Sequence, residues 1–175
     1  MTRSAIGVSS LFVVLAAPAI AGMTLSSDDL QPGATISPAQ IYPRCGGQNV
    51  SPQLSWSGVP AGTRSLAITM IDISVEPSQW SHWVLMNLPP DITSLARGTK
   101  VLPGAAKAIK SNFGEASYDG PCPPEGSGVH QYQITIWALS SSEVSIASDM
   151  KATDLKEMLA KVALDRASLT GTLQR

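Results

Sequence analysis

In RSLAITMID, Leu66, Ile68 and Met70 alternate with Ala67, Thr69 and Ile71, so apolar side chains occupy both faces of an extended segment. A strand with two apolar faces belongs in the middle of a layered structure, covered above and below. HWVLMNLPP predicts a second strand, ended by Pro89 and Pro90 because proline has no N–H to give to a ladder. QYQITIWAL predicts a third, and shorter strands are expected at Leu54 to Trp56 and Leu169 to Leu173, between loops rich in Gly, Pro, Asn and Ser. One segment has the helical period: ATDLKEMLAKVAL puts Leu155, Met158, Leu159 and Val162 on one stripe, with Thr153 as the expected N-cap and Asp154 in the first turn. Strands followed by one late helix predict a mainly β fold, an antiparallel β-sandwich with a peripheral C-terminal helix.

The first residues follow neither pattern. Arg3 precedes an apolar run through Val13, Val14 and Leu15, and Ala19-Ile20-Ala21 has the small-x-small form of a cleavage site. This reads as a secretory signal over residues 1–21, followed by one domain over residues 22–175. The run is short for a bilayer span and is broken by Ser9, Ser10 and Pro18. The mature chain is therefore expected in the periplasm or secreted, with no stable membrane insertion. Lys and Arg number 12 against 13 Asp and Glu, a balance without the basic footprint of a nucleic-acid binder. Cys45 and Cys122 are an even pair in an exported domain, read most economically as one disulfide. Two unpaired buried thiols are the alternative that the spacing leaves open.

His82 and His130 are the two histidines of the chain, each at or beside the start of a predicted strand. His130 and Tyr132 should share a face with Ile134 and Ile136, and His82 should begin a row through Val84, Met86 and Leu88. Asp72 closes RSLAITMID, where a carboxylate has to face solvent, a partner or a cavity mouth. If these strand ends converge, two imidazoles, a phenol and a carboxylate form a polar cluster at one rim, and protonated histidines would favour an anion such as phosphate. In YDGPCPPEGSGVHQY, prolines fix φ and glycines permit unusual turns, so loop 120–128 can be held in one shape and offer N–H groups beside His130. Each residue also has a plainer reading: half-buried strand-end histidines, a core tyrosine with its hydroxyl at the rim, an aspartate in a turn.

The strings CGGQNVSPQLSWSGVPAGTRSLAITMID, WSHWVLMNLPPDI and DGPCPPEGSGVHQYQITIWAL resemble the phosphatidylethanolamine-binding protein family, in its bacterial Raf-kinase-inhibitor-like branch, from about Leu25 to the closing ASLTGTLQR. The resemblance implies two antiparallel sheets, a C-terminal helix and a small anion-binding cavity at one rim. It matches Asp72 to the first aspartate of an Asp-Pro-Asp-x-Pro motif, His82 to a Trp-x-His-Trp segment, His130 and Tyr132 to a His-Arg-Tyr motif, and Pro123 and Pro124 to the loop that walls the cavity. Three departures stand out. Ile73 and Ser74 replace motif positions that include a bracing carboxylate, for which Glu76 is the nearest substitute; Gln131 replaces the arginine; and the C-terminal helix has no tyrosine to close the cavity.

The resemblance implies a binding protein for a phosphate-like anion or phosphorylated headgroup, with no cofactor and no enzymatic activity. An inhibitor or interaction protein acting on an exported or host protein is the alternative. A hydrolase ranks lower because no serine or cysteine stands out as nucleophile. A zinc site on His82, His130 and Asp72 has suitable ligand types but no diagnostic spacing.

Overall fold

All of β3 (Ser65–Asp72) is buried, as its doubly apolar pattern requires. The structure is a computed structural model that describes residues 22–147 and 150–175, and the export signal expected over residues 1–21 lies outside them. The strands are β1 (Thr24–Ser26), β2 (Leu54–Ser57), β3, β4 (Trp80–Leu88), β5 (Ser94–Leu95), β6 (Lys107–Ala108), β7 (Val129–Leu139) and β8 (Ala163–Gln174), with helix α1 (Ala152–Val162) before β8. They form a five-stranded sheet in the order β6-β4-β3-β7-β8 and a three-stranded sheet in the order β1-β2-β5. The pairings within both are antiparallel.

The larger sheet buries both faces in separate cores. On one face Ile68, Met70, Leu85, Ile134 and Ile136 pack with Leu54, Trp56 and Leu95 of the small sheet. On the other, Ala67, Val84, Met86, Trp137 and Leu139 pack against Leu155 and Leu159 of α1. Thr69, on the helix side, spends its hydroxyl on the Trp137 indole N–H at 3.0 Å, so the one polar side chain inside β3 is paired.

Two irregularities in β4 overturn the expected row from His82 through Val84 and Met86 to Leu88. Met70 pairs with Trp83 and Ile71 with Ser81, leaving His82 as the extra residue of a bulge. A second slip, between the pairs Leu66–Leu88 and Ile68–Leu85, falls at Asn87, whose φ is 58°. Val84 and Met86 therefore face the helix, while Trp83, Leu85 and Leu88 face the small sheet. The bulge turns His82 to that second face, where its ring meets Tyr132.

The helix also differs at both ends from the expectation. Lys151, extended and without a side-chain cap, takes the N-cap position, so Thr153 lies inside the first turn. The chain leaves the helix at Val162 and continues directly as β8, which is longer than the Leu169–Leu173 expected and pairs with β7 from Leu139–Ala163 to Val129–Gln174. Arg166 helps hold the early part of β8 by lying 5.1 Å over the Trp137 ring.

Candidate functional site

The end of β3 lies between its neighbours: Asp72 is opposite Trp80 of β4 and Tyr132 of β7. Asp72 is buried, with Oδ2 at 2.5 Å from His130 Nδ1 and Oδ1 accepting the Ser74 N–H at 2.9 Å. Ser74 Oγ accepts the Gln131 N–H at 2.9 Å, and the Ile73 N–H bonds the Gln131 carbonyl. Ser74 therefore braces the 72–74 turn against β7. Glu76, the expected substitute, is exposed and makes no side-chain bond among the described residues.

Proton counting defines His130. Ser127 Oγ lies 2.6 Å from the Pro124 carbonyl, which can only accept, so the serine proton is committed there. The 3.0 Å contact between Ser127 Oγ and His130 Nε2 must then be donated by the imidazole. One further proton lies between Nδ1 and the Asp72 carboxylate, giving a closed Asp72–His130 unit whose two nitrogens are both occupied.

His82 is the complement of His130. It is buried, and its Nδ1 lies 2.8 Å from the Asp119 carbonyl, which makes Nδ1 the protonated nitrogen. Burial holds the ring neutral, lowering its pKa to about 4 against the opposing pull of the Asp119 carbonyl and the Asp72 charge. Nε2 makes no bond among the described residues, and it is not among their sealed, unpartnered polar atoms, so it opens outward as an acceptor. The expectation of a protonated imidazole at this position is thereby corrected. The Tyr132 ring packs edge-on to His82 at 5.2 Å and stacks with His130 at 6.4 Å. Burial and the Asp72 charge raise the Tyr132 pKa, so its hydroxyl keeps its proton.

Three connections fix the loop behind these rings. Asn49 donates from Nδ2 to the Tyr118 carbonyl at 3.1 Å and accepts the Gly120 N–H at 2.7 Å, which aims the intervening Asp119 carbonyl at His82. A Cβ at Gly120 would collide with the Gln40 carbonyl oxygen, so the close approach of residues 40–42 to this loop requires glycine. Cys45 and Cys122 form a disulfide with 5.6 Å between their Cα atoms. Arg175 completes the support: Nη1 reaches Cys45 Sγ at 2.7 Å and the Pro123 carbonyl at 3.2 Å, and Nη2 reaches Glu125 at 2.9 Å. In loop 120–128 the N–H groups of Gly120, Gly126 and Ser127 are used inside the protein, and those of Cys122, Glu125 and Gly128 have no partner among the described residues.

The structure thus brings Asp72, His82, His130 and Tyr132 together and puts buried Pro123 and exposed Pro124 on the adjoining loop. Sequence reasoning missed Asn49, Ser74, Phe113 and Ser127. Phe113 packs 5.1 Å from His82 and 6.1 Å from Trp80. Ser127, His130 and Asp72 are linked in the order of a hydrolytic triad, but the Ser127 proton points to Pro124 and not to the imidazole. Among the described residues no three His, Cys, Asp or Glu side chains are grouped to hold a metal ion. Of the set considered for zinc, Asp72 Oδ2 is paired with His130 Nδ1 and His130 Nε2 with Ser127 Oγ.

Comparison with known proteins agrees with this architecture. A family model described as "Phosphatidylethanolamine-binding protein" matches residues 26–174. UPF0098 protein YbcL of Escherichia coli K12 is 33% identical over 168 residues, covering 91% of each chain. Its crystal structure, described as that of a new member of the mammalian PEBP family, superposes with a TM-score of 0.80 at 32% identity, over 89% of this chain and 99% of that one. The putative lipoprotein LppC of Mycobacterium tuberculosis H37Rv is 32% identical over 158 residues, 90% of this chain and 75% of its own. Carboxypeptidase Y inhibitor, solved with its cognate proteinase, shares the fold alone, with a TM-score of 0.55 and 17% identity over 87% of this chain and 82% of that one.

Proposed function

Because this chain belongs to the phosphatidylethanolamine-binding protein family, we propose that it is an exported binding protein whose rim cluster takes a protonated phosphate group, free or on a headgroup. The carrying observation is the buried, neutral His82, whose Nδ1 is held by the Asp119 carbonyl and whose Nε2 is left as an acceptor. A phosphomonoester monoanion has one hydroxyl to give to that Nε2, and inorganic phosphate keeps at least one as monoanion or dianion; the other oxygens can accept from Tyr132 and the open N–H groups of the 122–128 loop. Sulfate has the same shape and no proton to give near neutral pH. Pro123 and Pro124 wall the site on the loop tied by Cys122. Export is supported by the disulfide, which suits an oxidising compartment, and by the relative named a lipoprotein. No helix of the described residues is long and apolar enough to cross a membrane.

Calorimetric titration of the oxidised protein with inorganic phosphate, phosphoethanolamine and sulfate tests the proposal. Phosphoethanolamine should bind more tightly as pH falls toward and below about 6, where its monoester phosphate keeps a proton, inorganic phosphate should bind on both sides of that pH, and sulfate should stay weak throughout. His82→Ala should weaken phosphate about tenfold or more, the loss of a hydrogen bond to a charged group. Equal binding of sulfate and phosphate would refute the proton-donating ligand.

A protein partner is the second reading, favoured by Trp80, which packs on Phe113 at the same rim and is 39% exposed. Binding of an exported or host protein that survives His82→Ala and is lost in Trp80→Ala would support that reading over the pocket. Hydrolysis ranks below both, and labelling of Ser127 by a fluorophosphonate would reverse that order.

A further inference from the structure

A cavity of about 530 Å³ is lined by none of Asp72, His82, His130 and Tyr132, although Asn49, which holds the loop behind His82, forms part of its wall. Trp83, Leu85, Leu102 and Ala108 form its apolar walls, and Tyr118 bounds it, with its ring edge-on to Trp83 at 5.5 Å. Its size falls in the range of about 300–1,000 Å³ that holds compact organic ligands. Gln48, Asn49, Thr99 and Ser117 add amide and hydroxyl side chains to the same lining. The surrounding loop is built to hold its shape: the Ser51 carbonyl accepts the Gly98 N–H at 2.9 Å, and the Thr99 hydroxyl bonds the Ala96 carbonyl at 2.6 Å.

The charge at the cavity has one sign. Lys100 is the charged residue in its lining, which contains no Asp or Glu, and Lys100 has no ion-pair partner among the described residues. A neutral hydrocarbon would use only the apolar walls, and inorganic phosphate only Lys100 and the polar side chains, whereas an amphipathic anion uses both. An ammonium ligand would meet only a like charge. We infer that this cavity is a second ligand site, which binds a small amphipathic carboxylate with its apolar body against Trp83, Leu85, Leu102 and Ala108 and its carboxylate on Lys100.

The test is an NMR titration of the oxidised full chain with 1-naphthoate in the presence of excess inorganic phosphate, following the Ala108 methyl, the Trp83 indole and the His82 ring. Saturable shifts at Ala108 and Trp83, with the His82 ring unmoved, are expected. Lys100→Glu should weaken naphthoate about tenfold through loss of the charge-assisted contact, and Ala108→Phe should abolish it by filling the space. If Ala108→Phe fails to fold, the exposed Lys100→Glu still decides. No saturable shift, unchanged affinity in Lys100→Glu, or naphthoate moving only the His82 ring would overturn the assignment. The rim proposal fails separately, through absence of a phosphate effect on His82.

Discussion

At the scale of single residues, the two histidines have opposite roles because their Nδ1 atoms face different partners. His130 faces a carboxylate and His82 a carbonyl, and only the second leaves an open acceptor. The low pKa of His82 carries a stability consequence whose sign is fixed. The unfolded chain takes up the proton near the ordinary value of 6.5 and the folded chain only at about 4. Folding is therefore disfavoured progressively as pH falls through that window, by about 3 kcal/mol once below it. Thermal unfolding from pH 7 to 4 should show a smaller decline in His82→Asn, whose amide can still donate to Asp119, than in the parent; equal slopes would contradict the assignment. Asn49→Ala removes two hydrogen bonds and leaves the Gly120 N–H without its acceptor. The expected cost is about 2–3 kcal/mol in denaturant unfolding, with weaker phosphate binding because the Asp119 carbonyl is no longer aimed at His82.

At the scale of elements, the two faces of the large sheet have separate tasks: α1 covers one, and the rim cluster opens from the other. Leu159→Ala should therefore cost about 2–5 kcal/mol of stability and leave phosphate affinity unchanged; a parallel loss of affinity would show that the helix supports the site. Much of this was legible in the chain. The alternation in RSLAITMID and QYQITIWAL specifies buried strands, and His130 and Tyr132 keep the expected two-residue spacing on one face. The row through His82 was illegible because a bulge inverts alternation without a glycine or proline to mark it, and the second slip is taken up by Asn87. The first half of β8 escaped for another reason: its burial alternates, but the residue types do not follow, with Leu164 47% exposed and Asp165 half-buried, so no apolar–polar alternation marks the strand that its pairing and the Arg166–Trp137 contact hold extended. Asn49 gave only the weak signal of a polar residue after two glycines, since its partners lie about seventy residues away.

At the scale of the whole molecule, one covalent link joins the segment before β2 to the loop before β7, across a sequence separation of 77. Reduction of Cys45–Cys122 should cost about 2–5 kcal/mol and also weaken phosphate, because Cys122 anchors the loop carrying Pro123, Pro124 and Ser127. Calorimetry with and without reductant checks both, and a stability loss with unchanged affinity would detach the disulfide from the site. The proposed function rests on a rim cluster in which the protein supplies an acceptor, His82 Nε2, and the ligand supplies a proton. The most direct test is ¹⁵N NMR of the two imidazole rings between pH 5 and 8, with and without phosphoethanolamine. The prediction is a neutral His82 with its proton on Nδ1 throughout and a saturable shift of its Nε2 on addition of ligand. A His82 ring that titrates near 6.5, or an Nε2 indifferent to the ligand, would contradict it.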